Sequence, residues 1–289
     1  MDQDCAHGRL GSDAVRLVPT ADGLSLQAAE LAAFIAQDHD RDPVLVVATA
    51  GTTAHGAVDD IQGLVDVARR HGAHMHVDAA WAGSALLADE TRAWFAGIES
   101  VDSVTLDPHK WLAVPMGSGM YLARDWAPLE TAFGVRTGYM PSASTRHRDA
   151  YIHSVQWSRR FIGLKLFMAL ATLGRGGYAN MIRHQVSLGR QLRDGLVGQG
   201  WRVVNDTPLP LVCFVPEVGA GAMDEAVRFI ECAIVRSGKA WLSSVAWRGQ
   251  LVLRACITSY ESNAQDVQAL LDLLGEVRER WQTAVAAAP

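Results

Sequence analysis

Three apolar runs in this chain each end at polar residues that could do chemistry. Val44-Leu-Val-Val-Ala-Thr49 leads into Gly51-Thr-Thr53, His74-Met-His-Val77 into Asp78, and Ser103-Val-Thr-Leu106 into Asp107-Pro-His-Lys110. A lysine that forms a covalent bond with a carbonyl compound needs an amine held in place and partly desolvated, so that its neutral form is accessible. Lys110 sits between a turn restrained by Pro108 and the large aromatic Trp111. From position alone it is either such a nucleophile or a solvated loop lysine.

Asp78 bears on that choice. A carboxylate at the end of a buried strand is costly without a cationic partner, and the protonated ring nitrogen of pyridoxal 5′-phosphate (PLP) is one such partner. An aspartate that caps the following turn is the alternative. The small residues Ala79 and Ala80 favour the cofactor, because a flat ring needs a wall without bulk.

These residues need a scaffold. The continuous apolar run 44–49 reads as a parallel strand covered on both faces. A helix from about Asp60 to Arg70 follows, with Ile61, Leu64, Val65 and Ala68 on one stripe and Gly72 to stop it. Strands 74–77 and 103–106 come next. This alternation argues for an α/β fold with a mostly parallel sheet, and such sheets bind ligands at the carboxyl ends of their strands. Before it lie a strand over Ala14–Val18 and a helix over Ser25–Gln37. The segment Met116-Gly-Ser-Gly-Met120 reads as a tight turn between two strand-like runs.

Residues 134–154, rich in Gly, Ser, Thr and Arg, read as a long mobile loop. Helices over Ser158–Leu173 and Tyr178–Gly198 follow. Short strands at Leu211–Val215 and Leu251–Ile257 alternate with helices. The last helix opens with the capping pattern Ser262-Asn-Ala-Gln265 and carries Val267, Leu270, Leu271, Leu274, Val277 and Trp281 on one face. The expected division is a large domain over residues 1–164 and a small carboxyl-terminal α/β domain over residues 165–289.

The formal net charge of −5 comes without a basic cluster, which argues against nucleic-acid or anionic-membrane partners. The four cysteines, Cys5, Cys213, Cys232 and Cys256, form no CxxC pair, so no zinc site or disulfide framework is suggested. No apolar run approaches a membrane span, and the acidic start is unlike a signal peptide. The expected location is the cytoplasm.

His76-Val-Asp-Ala-Ala-Trp-Ala-Gly83 and Asp107-Pro-His-Lys-Trp-Leu112 together resemble the signature of the group II PLP-dependent amino-acid decarboxylases, in particular the aromatic-L-amino-acid decarboxylases. Ala48-Thr-Ala-Gly-Thr-Thr53, Gly56-Ala-Val-Asp59, Gln156-Trp-Ser-Arg-Arg-Phe161 and Leu253-Arg-Ala-Cys-Ile257 match further motifs, so the likeness extends over nearly the whole chain from about residue 14. It implies the fold-type-I architecture of aspartate aminotransferase and decarboxylation of an L-amino acid to the amine and CO2. It also implies a homodimer or a hetero-assembly. By the same resemblance, Lys110 carries PLP and Asp78 pairs with the ring nitrogen. Ala80 packs on the ring, Thr53 lies near the ring hydroxyl and the substrate, and Asp107 and His109 stand on the phosphate side. Tyr139, in the long loop, donates a proton to the substrate carbon after CO2 leaves. Arg254 either faces a substrate carboxylate or is a buried sheet arginine that makes structural pairs.

Members of the family have further amino-terminal sequence, which supplies a phosphate cradle at a helix start and a histidine stacked on the ring. His7 stands too close to Gly11 for that histidine's spacing and is not assigned. The expectation is a chain that binds PLP weakly alone and is completed by another. Two alternatives stay open. One is a catalytically deficient remnant or partner subunit. The other is oxidative deamination to an aldehyde, against which Tyr139 argues, since that branch typically has phenylalanine there.

Overall fold

The computed structural model describes residues 11–20, 24–38, 41–135 and 149–287. The first sheet has the order β1 (Leu45–Thr49), β2 (His74–Asp78), β3 (Ser103–Leu106) and β4 (Met120–Ala123). The first three strands are parallel and β4 closes the edge antiparallel. Helix α1 (Ala28–Gln37) precedes β1, and α2 (Ile61–Arg70) is the crossover from β1 to β2. Asp60 caps α2 by accepting from Gly63 N at 3.0 Å. Ile61, Leu64, Val65, Val67 and Ala68 are buried on it, against the sheet face that carries Val46, Ala48, Met75 and Val77. The neighbouring Asp59 ties α1 to the sheet, since its carboxylate accepts from Leu26 N at 2.7 Å and Thr49 N at 2.6 Å.

The opposite face differs from the expectation of a sheet covered on both sides. In β1 and β2 burial alternates residue by residue, and the second face holds Val47, Thr49, His76, Asp78 and Thr105, all half-buried, beside the exposed Leu45 and His74. A polar row of this kind suits a face that holds a ligand or another chain better than a dry core.

The expected strand at Ala14–Val18 is absent. Ser12–Ala14 forms a single 3-10 turn, and Arg16 pairs with Asp38 at 3.1 Å while lying over the Phe34 ring, so the segment is held by α1 and has no strand neighbour. A short helix α3 (Ala127–Phe133) follows β4. The two long helices expected after the loop are joined as α4 (Gly163–Gly198), bent where Gly174 adopts φ 63°. Its first turn starts later than Ser158, at the expected domain boundary.

The second sheet is antiparallel, in the order β5 (Arg202–Val203), β6 (Leu211–Val215), β8 (Gln250–Cys256), β7 (Ser243–Trp247). β7 and β8 form a hairpin through Arg248 and Gly249, with φ of 47° and 81°, the two-residue turn that matches strand twist. Helices α5 (Met223–Ser237) and α6 (Ala264–Ala286) pack against each other beside this sheet. The cap of α6 is displaced one residue from the sequence expectation. Asn263 accepts from Gln265 N and Asp266 N, and Asp266 returns a bond to Asn263 N. Val267, Leu271, Leu274, Val277 and Trp281 are buried on α6 as its stripe requires, with Leu270 partly so. One continuous apolar core runs through both sheets. Among the described residues no helix is long and apolar enough to cross a membrane.

Candidate active site

The site is built where β2 and β3 end side by side. Asp78 pairs in register with Thr105 and, on its other side, with Thr49. Beyond the strands the two chain segments stay stitched together, with Ala79 N donating to Thr105 O at 3.0 Å and Asp107 N to Ala80 O at 2.8 Å. The Asp78 side chain is half-buried. Its Oδ1 accepts from Ala80 N at 3.0 Å, and its second oxygen accepts no hydrogen bond among the described residues. The turn-capping role and a carboxylate oxygen without a hydrogen bond among the described residues therefore coexist in one residue.

Asp107-Pro-His-Lys110 is a closed turn, with Lys110 N donating to Asp107 O at 3.0 Å. Lys110 Nζ lies 3.1 Å from Asp107 Oδ2, and its side chain is 39% exposed, more open than a desolvated amine. Behind the turn, the His109 Nδ1–H donates to Ser118 O at 2.7 Å, so Nε2 is the ring nitrogen not used by that bond. The Met116–Met120 segment is thus the brace for His109. A Cβ added to Gly119 would stand 3.3 Å from Asp107 Oδ1.

Trp111 is fully buried and stacks on Trp81, with ring centroids 5.2 Å apart and an 18° angle between planes. Its Nε1–H donates to Gln185 of α4, and Gln185 in turn donates to Thr258 O at 2.8 Å. Sequence reasoning noted Trp111 only as bulk. The repeated Trp three residues after Asp78 and one after Lys110 was the available signal for the pair.

A second feature was missed. Below Asp78 on the polar sheet face, the His76 ring sits between Ser103 Oγ at 2.8 Å and Thr105 Oγ1 at 3.1 Å, stacked near Tyr121. Burial pushes its pKa below the usual 6.5, against an opposite pull from Asp78. The alternation of polar residues at 74, 76, 78 and at 103, 105 carried that signal.

Thr53 is exposed in the loop after β1, and its carbonyl accepts from Arg254 Nε at 2.8 Å. That bond spans 201 sequence positions and uses only the Nε of Arg254. Tyr139 lies outside the described residues.

A mostly parallel sheet with a carboxylate and a lysine at adjacent strand ends, followed by a small antiparallel α/β unit, is the architecture of fold-type-I pyridoxal-phosphate enzymes. Residues 5–216 match the model of the pyridoxal-dependent decarboxylase conserved domain, and the chain belongs to that family. Tryptophan decarboxylase 1 of Oryza sativa subsp. japonica is 33% identical over 275 residues, covering 90% of this chain and 54% of the relative. Tyrosine decarboxylase 2 of Arabidopsis thaliana is 32% identical over 223 residues, covering 74% and 41%. The crystal structure of Oryza sativa TDC with PLP and tryptamine superposes with a TM-score of 0.91 at 30% identity, covering 96% of this chain and 60% of that one. Relatives named as histidine and aspartate decarboxylases match as well. The chain spans about half the length of the curated relatives it matches.

Proposed function

We propose that this chain carries the cofactor lysine of a PLP-dependent decarboxylase site and, in its active assembly, converts an aromatic L-amino acid to its amine and CO2. The observation that carries the reading is the placement of Asp78 and Lys110 at the ends of adjacent parallel strands, one with an uncommitted carboxylate oxygen and the other with a solvent-accessible amine. Two features support the fit of a flat cofactor there: the small, half-buried Ala80 after the strand end, and the polar sheet face beside it.

PLP, when bound, supplies a sink for the electron pair left as the α-carboxylate departs. The protein's part is to hold protons and planes. The second oxygen of Asp78 would pair with the ring nitrogen and favour its protonated form, and Ala80 would pack on the ring. Lys110 Nζ would hold the cofactor covalently, and Asp107 Oδ2 lies 3.1 Å from that amine. His109, with Nδ1 committed to Ser118, is assigned to the phosphate side. Thr53 is assigned to the ring hydroxyl and the substrate. Tyr139 is assigned as proton donor to the substrate carbon. Arg254, its Nε committed, is assigned to the substrate carboxylate through its terminal nitrogens.

The aromatic preference is supported by the similarity to relatives named for tryptophan and tyrosine. Assembly as a homodimer or with another chain is supported by the apolar surface around the start of α4, where Phe161, Phe167 and Met168 are 78%, 65% and 56% exposed. A cytoplasmic setting is supported by the free state of Cys213, Cys232 and Cys256.

The test is CO2 release from tryptophan, dopa, tyrosine and glutamate with added PLP, by the chain alone and together with the amino-terminal half of a relative. Aromatic substrates should be turned over in the completed assembly. A preference for glutamate overturns the aromatic reading, and no release in any assembly overturns decarboxylation.

A further inference from the structure

Four consecutive backbone carbonyls in the loop after β1 are each taken by a different side chain of the carboxyl-terminal half. Thr53 O accepts from Arg254 Nε at 2.8 Å and Ala54 O from Cys213 Sγ at 3.4 Å. His55 O accepts from Asn205 Nδ2 at 3.0 Å, and Gly56 O from Thr207 Oγ1 at 2.7 Å. The His55 ring adds a fifth tie, with Nε2 3.0 Å from Ala246 O and the ring edge-on to Trp247 at 4.8 Å. A surface loop would not normally give four consecutive carbonyls to one partner surface, because water satisfies exposed ones at little cost.

The donors are themselves fixed. Asn205 Oδ1 accepts from Cys213 N at 2.8 Å, and its Nδ2 also reaches Leu211 O. Thr207 Oγ1 accepts from Leu209 N. Burial pushes the Cys213 thiol up to about 12, so it remains a donor across the physiological range. The loop is closed on itself as well, with Gly51 N and Thr52 N both donating to Ala57 O at 2.9 Å. Gly56 has φ +71°, and a Cβ there would stand 3.2 Å from the Thr207 side chain. Thr53 Oγ1, by contrast, makes no hydrogen bond among the described residues and is left for a ligand.

We propose that Asn205 and Thr207 of the β5–β6 connection, with Cys213 and Arg254 of the antiparallel sheet, form a carbonyl clamp by which that sheet and its connection set the position of Thr53 at the cofactor site. The clamp rests on the assignment of Thr53 made above and adds to it four positioning residues that touch neither cofactor nor substrate through these bonds. It makes the carboxyl-terminal half part of the site's alignment: a shift of that sheet carries Thr53 with it.

The test uses the full chain and Thr207→Val, which keeps the side-chain shape and removes the donor, with Thr207→Ser as the rescue. Amide hydrogen exchange over residues 51–58, measured without cofactor, should be about tenfold or more faster in Thr207→Val and near wild type in Thr207→Ser. With PLP added, Thr53→Ala and Thr207→Val should each speed cofactor loss and alter its visible absorbance, and the double variant should be no worse than Thr53→Ala alone. Unchanged exchange in Thr207→Val overturns the clamp itself, without reference to any cofactor. Faster exchange with an unaltered cofactor spectrum overturns the link from loop to site. If Thr53→Ala leaves the spectrum and PLP loss unchanged, the assignment of Thr53 fails and the clamp's role with it, although the exchange result would still show the loop to be held. Should Thr207→Val fail to fold, Cys213→Ala removes a different donor and is read in the same way.

Discussion

Trp81 stacks on Trp111 at a centroid distance of 5.2 Å, which locks the segment after Asp78 onto the segment that carries Lys110. The two chemical residues are thereby held in one packed unit, with Gln185 of α4 bonded to the Trp111 indole from behind. Loss of a fully buried aromatic costs about 3–5 kcal/mol. Trp111→Ala is therefore expected to lower unfolding free energy by that order in chemical denaturation. Trp111→Phe should lose less, since it keeps the stack and gives up only the Gln185 bond. Equal losses for the two would mean that the hydrogen bond, and not the stack, holds the unit.

Asp78→Asn keeps an oxygen that can accept from Ala80 N, so the turn should survive. The amide cannot hold a proton on a pyridine nitrogen as a carboxylate does. Turnover in the active assembly should fall by about two orders of magnitude or more, ~3 kcal/mol of transition-state stabilisation, while PLP occupancy falls far less. Parallel assays of CO2 release and visible absorbance separate the two. Near-normal turnover would show that Asp78 only caps its turn.

His76 gives a pH signature. Burial holds its folded-state pKa below 6.5, so at pH below about 6.5 the unfolded chain binds a proton that the folded chain resists. Its contribution to stability is complete above that pH and is lost as the pH falls. One proton gives a slope of at most ~1.4 kcal/mol per pH unit, and partial exposure of the ring reduces it. His76→Gln should flatten the acid limb of stability as the pH falls below about 6.5, measured by urea unfolding at several pH values. An unchanged slope would place the acid sensitivity elsewhere.

The sequence made the site's skeleton readable because parallel strands end where their apolar runs end. Asp78 and the turn at Lys110 stand where those runs stop. What stayed hidden depends on contacts between distant residues. Thr207 meets Gly56 across 151 positions and Trp111 meets Gln185 across 74, and no local pattern marks either. The β7–β8 hairpin escaped because Ser243–Trp247 mixes small polar and apolar residues, although Arg248-Gly249 is a fair turn signal. The Ala14–Val18 segment misled in the opposite direction: its apolar residues suit a strand, but Arg16 is drawn to Asp38 and no strand lies beside it. The openness of Lys110 was also unreadable, because exposure at a strand end is set by what packs over it.

The central claim is that Lys110 carries the cofactor, and chemical trapping tests it most directly. Borohydride reduction of the protein mixed with PLP, followed by peptide mass spectrometry, should place the pyridoxyl label on Lys110, with label and visible absorbance both absent in Lys110→Ala. Label on Lys165 or Lys239 in place of Lys110, or absorbance that persists in Lys110→Ala, would contradict the account.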